Sequence, residues 1–390
     1  MTDTTEPATG PRSRVHLDNG GGAPLHPLAR QALVQALDDG WADPHRLHTE
    51  GRRAARLLDG AREAVAGVLG ARTEEVRFTA SHAAGLRAAV LGTTRARRRA
   101  GGHVVVGAVE RAAVLHAAAA AASAHEGERV TVGVDRSGRV DLDGFRTAVA
   151  RPGVALAALQ HANGEVGTRQ PLPAAHDTAR AVGVPLLVDA GASLGHDVVP
   201  DAWDLLAAQP TDWGGPAGVG VLAVRQRVRT VPPDPEDADP WAPGGVSVPA
   251  AFAAAVALQA AVADRAEQDA RRRALADRVR TAAAAIPDVE VVGDPDDRLP
   301  HVVTFSCLYV DGEALVTELD RAGFAVGSGS ACTASTLEPS HVLAAMGVLT
   351  HGNVRIALDR STSEDDVARF LAVLPGAVQR VRDVLGVSGL

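Results

Sequence analysis

Thr211-Asp212-Trp213-Gly214-Gly215-Pro216-Ala217-Gly218-Val219-Gly220 lies between the apolar runs Leu186–Asp189 and 221–224. Short apolar runs bounded by Gly and Pro read as buried strands, and the glycines with Pro216 between them read as a turn. The run 186–189 ends in a carboxylate, as at the carboxyl edge of a parallel strand, where α/β proteins place ligands. Every one of the 39 Lys+Arg residues is Arg, so the chain has no lysine ε-amine. A guanidinium cannot be deprotonated in a protein, so no side chain here can condense with an aldehyde.

Composition sets the outer bounds. With 390 residues and 46% hydrophobic content, the chain can bury a full core and form two lobes. A formal charge of −8 gives no general attraction to nucleic acid. The Arg clusters at 95–99 and 271–273 sit in helix-like sequence and are expected on solvated faces. No stretch reads as a spanning helix or an N-terminal leader, so a cytoplasmic protein is expected, without nucleic-acid or membrane partners. Two cysteines, Cys307 and Cys332, make no disulfide framework, and the 14 His show no metal spacing, so no metal is expected.

The opening stretch resembles the cofactor-lysine segment of the cysteine desulfurases, in which a His-Lys pair precedes a Gly-Pro-Lys-Gly turn. Those proteins are class V aminotransferase-like and adopt PLP fold type I. The resemblance runs from about Leu17 to about Leu371 and implies an α/β fold. A mostly parallel central sheet with flanking helices would form a large domain over 15–249. A smaller α+β domain would follow over 250–390, with a contribution from the N-terminal segment and a disordered tail at 1–14. Pyridoxal phosphate (PLP) is the family cofactor. Here Thr211-Asp212 stands in place of His-Lys, so Asp212 replaces the PLP lysine and no covalently bound cofactor is expected.

Other motifs carry the same resemblance. Glu110-Arg111-Ala112-Ala113-Val114 matches Glu-His-x-Ala-Val, with Arg111, a possible stacking cation but no general base, where the ring-stacking His belongs. Ser81-His82-Ala83-Ala84 stands where the family has Gly-Ala-Thr-Glu, so Ala83 replaces the phosphate-binding Thr. Gln209 and Thr211 replace a phosphate-binding Ser and His, Gly245 replaces the Thr that binds phosphate across the dimer, and Ala192 replaces a Gln beside the cofactor. The segment 230–240 is acidic and Pro-rich where the family has a Gly-rich loop reaching the neighbouring subunit. Gly20-Gly21-Gly22 read as a flexible entry loop.

Retained are Asp189, which the resemblance assigns to the pyridine nitrogen, Asn163, which it assigns to the phenolic oxygen, and Arg355, which it assigns to the substrate carboxylate. Gly327-Ser328-Gly329-Ser330-Ala331-Cys332-Thr333-Ala334-Ser335 closely matches the loop whose Cys becomes a persulfide. Losses therefore concentrate on the cofactor cup, while the sulfur loop is kept. The combination reads as a desulfurase-like pseudoenzyme subunit in sulfur transfer, with Cys332 as persulfide acceptor or carrier. Its expected partners are a second copy or an active cysteine desulfurase in a dimer, and a sulfur-acceptor protein. Two other readings stand beside it: an active desulfurase, or other class V enzyme, that uses a partner's Lys or noncovalent PLP or pyridoxamine phosphate, and a purely structural partner of an active paralogue.

Overall fold

Strands that are apolar along their whole length must be covered on both faces, and the sheet here is built that way. The computed structural model describes residues 14–328, 339–384 and 386. In chain order its elements are β1 (Val15–His16), α1 (Pro27–Asp39), α2 (Thr49–Leu69), β2 (Val76–Thr79), α3 (His82–Ala96), β3 (His103–Gly107), α4 (Ala112–Ala124), β4 (Arg129–Val132), α5 (Leu142–Val149), β5 (Val154–Gln160) and α6 (Leu172–Ala181). There follow β6 (Leu186–Asp189), β7 (Leu205–Ala208), β8 (Gly220–Val224), α7 (Val248–Ala263), α8 (Arg265–Ala284), β9 (Val289–Val292), β10 (Val302–Cys307), α9 (Gly312–Arg321), β11 (Phe324–Ala325), α10 (His341–Met346), β12 (Asn353–Ala357) and α11 (Glu364–Val384).

The main sheet has the order β2-β8-β7-β6-β5-β3-β4. Strands β4, β3, β5, β6 and β7 pair in parallel, and β8 is antiparallel to both its neighbours. Side chains alternate between two cores, as the pleat requires. Val105, Leu159 and Val188 join α2, α5, α6 and α7 on one face. Val104, Val106, Ala158 and Leu187 join α3 and α4 on the other. The carboxyl ends of β5 and β6 therefore open at one edge, beside the chain that leaves β3.

A separate core, the second lobe's, gathers around the antiparallel sheet β12-β10-β9, with α8, α9 and α11 packed on it. Val15 and Leu17 belong to this core, because β1 pairs in parallel with β11. Cys307 is buried there as a packing residue, and burial pushes its thiol up to about 12.

Ala251, Ala254 and Leu258 of α7 pack in the core that holds Val105 and Val188, and α7 meets α8 at a 72° bend. Arg272 is fully buried in α8 rather than solvated, its neighbours Arg271 and Arg273 being partly covered as well. At the C-terminal end Pro375 lies inside α11, and the buried stripe of Phe370, Leu374, Val378 and Val381 continues across it. Tertiary packing of that stripe outweighs the broken backbone bond that proline imposes. Among the described residues, no single helix is long and apolar enough to cross a membrane.

The start of α3 presses directly on β8. A Cβ on Gly220 would stand 2.3 Å from the Ser81 carbonyl carbon and 2.5 Å from the His82 nitrogen. Gly220→Ala should therefore cost about 1–3 kcal/mol, as overpacking does. Denaturant unfolding measures it, and an unchanged midpoint would show that this contact yields freely.

Candidate functional site

A carboxylate at the buried end of a strand needs compensating charge. Asp189 ends β6, and its Oδ1 accepts from the Gly191 amide at 2.8 Å. His82 Nε2 lies 3.0 Å from the same oxygen, and Arg111 Nε donates to Oδ2 at 3.2 Å. Burial opposes ionisation of Asp189, but the charges of His82 and Arg111 outweigh it and hold the carboxyl well below the usual range. His82 opens α3 directly after the cap residue Ser81, whose hydroxyl accepts from the Ala84 amide. Room for its ring depends on Gly191, where a Cβ would fall 2.4 Å from His82 Cε1. Arg111 thus reaches the carboxylate, where the sequence suggested a cation stacked on a ring.

The glycine stretch supplies the opposite wall. Pro210–Trp213 forms a short 3-10 turn, held to α7 by Trp213 Nε1 donating to the Ala254 carbonyl at 3.1 Å. The side-chain amide of Gln209 donates to Thr211 Oγ1 at 2.9 Å and to Asp212 Oδ1 at 3.3 Å. The Asp212 carbonyl accepts from Asn19 Nδ2 at 3.4 Å and from His196 Nε2 at 2.6 Å. Arg272 can only donate, and its Nη1 lies 3.0 Å from His196 Nδ1, so the proton of this imidazole sits on Nε2. Burial, reinforced by the Arg272 charge, keeps His196 neutral, well below its ordinary value.

The expected flexible loop at Gly20 to Gly22 is instead tied down. Asn19–Gly21 is a short 3-10 turn, and the Ala23 amide donates to the Thr211 carbonyl at 2.8 Å. Arg355 on β12 pairs with Asp18 at 2.9 Å. Asn19, Gly20, Asp212 and Arg355, with Arg111, Asn163 and Ala192, line one cleft of about 80 Å3. Gly245 and Ala83 are not part of its lining. The segment 231–243 lies along α3, with the Val231 amide donating to the Gly92 carbonyl at 3.2 Å.

Asn163 is committed to the scaffold at both ends of its amide. Its Nδ2 donates to the Val109 carbonyl at 3.1 Å, and its Oδ1 accepts from the amides of Glu165 and Val166. Three further acids give the cleft its character. Burial pushes Asp212 up to about 7, against the nearby charges of Arg111 and Arg355. Glu165 is likewise pushed to about 7 by burial, against its hydrogen bond with Ser340. Burial also raises Glu110 well above the carboxylate range.

Reading the sequence by motif missed His82, His196 and Arg272. The signal for His82 was present, since it stands where the family motif has Ala. A search for missing donors overlooks a gained one. Cys332, with the rest of 329–338, lies outside the described residues. Among the described residues there is no cluster of three or more metal-ligating side chains.

Residues 15–370 match the model of the aminotransferase class-V family. The chain is 32% identical over 378 residues to a cysteine desulfurase IscS 1 of Archaeoglobus fulgidus, an alignment covering 95% of this chain and 98% of that one. It is 37% identical over 384 residues to an IscS-like cysteine desulfurase of Mycobacterium tuberculosis, covering 94% and 97%. A solved NifS-like protein superposes with a TM-score of 0.85 at 23% identity, over 96% of this chain and 99% of the other. The chain therefore belongs to the aminotransferase class-V family, and within it to the cysteine desulfurases. That family depends on pyridoxal phosphate.

Two outcomes follow from the buried charges. His82→Ala removes one of the groups on a buried carboxylate and should cost roughly 1.5–3 kcal/mol, measured by denaturant unfolding; a neutral change would mean that Arg111 suffices. For Asp212, the folded value of about 7 lies above the ordinary 3.8, so between these the unfolded chain binds fewer protons. Stability should fall as pH rises across that window and level off above it. Asp212→Asn should flatten the fall in melting temperature between pH 5 and pH 7.5, read by thermal unfolding in about half-unit steps. Parallel profiles for the two proteins would contradict the burial argument.

Proposed function

We propose that this protein is a member of the desulfurase family that does not hold pyridoxal phosphate and serves sulfur transfer, with Cys332 as persulfide acceptor and carrier. One observation carries the reading: Asp189, the acid expected to meet a pyridine nitrogen, already has Arg111 Nε at 3.2 Å and His82 Nε2 at 3.0 Å from its carboxylate oxygens. The remaining residues fit the cofactor no better. No lysine exists to hold the aldehyde. At Ala83 and Gly245 no hydroxyl is available for a phosphate, and the Asn163 Nδ2 already donates to the Val109 carbonyl and to Gln160 Oε1. Asp212, in place of the lysine, would set a carboxyl against the cofactor instead of an amine.

Transfer to Cys332 needs no cofactor on this chain. Its thiolate would attack the terminal sulfur of a persulfide on a donor protein, and the donor's S–S bond would break. The donor cysteine would leave as a thiolate, and Cys332 would carry the sulfane sulfur with no net oxidant or reductant. This assigns the chain an active cysteine desulfurase as partner, bound in a dimer or met transiently, and an acceptor protein downstream. Dimers of two copies are the other assembly open to it.

The purified protein should stay colourless with added pyridoxal phosphate and release no sulfide from cysteine alone. Incubation with an active cysteine desulfurase and cysteine should place a persulfide on Cys332, detected by mass spectrometry after alkylation. The label should vanish in Cys332→Ser. Equal labelling of the serine variant would remove the carrier role, and a yellow protein would remove the cofactor-free reading.

A further inference from the structure

Two cations stand unused on the outer face of α3. Arg87 and Arg95 are exposed and lie about 12 Å apart along the helix axis, at 1.5 Å per residue. Among the described residues neither guanidinium has an ion pair or a hydrogen bond. Acids are close at hand, because the segment 231–243 crosses this face and carries Asp234, Glu236, Asp237 and Asp239. Two of them turn back on their own loop. Asp234 Oδ1 accepts from the Glu236 amide at 3.3 Å, while Asp237 accepts from the Asp239 amide at 2.8 Å and from the Gly244 amide at 3.3 Å. None of the four lines the groove that the segment makes with α3, so its arginines are left to an outside anion.

The rest of that groove is apolar. Its floor is Ala84, Ala88 and Leu91 of α3, and its wall is Pro232, Pro233 and Trp241. The wall is fixed in place: the Val231 amide donates to the Gly92 carbonyl at 3.2 Å, and a Cβ on Gly92 would collide with the Val231 carbonyl oxygen. Trp241 packs against the core of α3 and α4. Prolines have a fixed φ, so such a wall loses little freedom when a ligand meets it. An apolar trough edged by unpaired cations complements a molecule with an apolar body and an anionic head.

We propose that this groove binds an amphipathic organic anion, a medium-chain alkyl carboxylate, with its chain on Leu91 and Trp241 and its carboxylate drawn to Arg87 and Arg95. An exposed ion pair is weak by itself, so affinity requires burial of the chain as well. The apolar stems of the two arginines extend the surface that the chain covers. The proposal uses no residue of the Asp189 cleft and does not depend on Cys332.

Isothermal titration of the full chain with octanoate tests it, with 1-octanol and acetate as probes that each lack one half of the ligand. Octanoate should bind once per chain, and each half-ligand about tenfold more weakly or worse. Arg87→Gln combined with Arg95→Gln keeps good helix formers on the surface of α3. This double variant should weaken octanoate about tenfold and leave 1-octanol unchanged, whereas Trp241→Ala should weaken both. Absence of octanoate binding overturns the proposal, and sedimentation as a dimer in that case would identify a second copy as what covers the groove. Equal affinity for octanoate and 1-octanol overturns it without any variant. Undiminished octanoate binding by the double glutamine variant does so too.

Discussion

A single buried carboxylate organises the ligand edge of this fold. Asp189 ends a strand covered on both faces, where an uncompensated negative charge would be costly. The chain meets that demand internally. Arg111 arrives from the loop after β3, His82 arrives from the first position of α3, and Gly191 leaves the space in which the imidazole sits. Both carboxylate oxygens then face groups of the chain itself. The same chain lacks the amine that would hold such a ring.

The other features of the site are consistent with that exchange of partners. Asn163 is spent on backbone groups, and Asp18 covers part of Arg355. Beneath Asp212, the His196 and Arg272 pair holds the turn by its carbonyl, so the backbone path survives although its side chains have changed. The result is a strongly charged cleft. Its acids at 212, 165 and 110 are all raised by burial.

Much of this was legible in the sequence. The apolar run Leu186–Asp189 located β6 to the residue, because a strand buried on both faces leaves an unbroken hydrophobic signal. The cofactor-lysine segment, read as a turn, led directly to Asp212. Less visible were interactions across long sequence separations. Nothing local marks Arg272 as buried, since its neighbours 271 and 273 look alike in composition, and only the meeting of α8 with His196 distinguishes it. Pro375 signalled a helix end by local rules, while the buried stripe that carries α11 past it depends on the second core. His82 was hidden for a different reason: substitution by a larger polar residue inside a familiar motif reads as drift until its partner is seen.

The central claim is that Asp189 is already paired within the chain. It is tested most directly by a crystal structure of the protein soaked with excess pyridoxal phosphate. The account predicts His82 and Arg111 still on the Asp189 carboxylate, with no aromatic ring beside it. A ring nitrogen seated on Asp189, with Arg111 turned away, would contradict it.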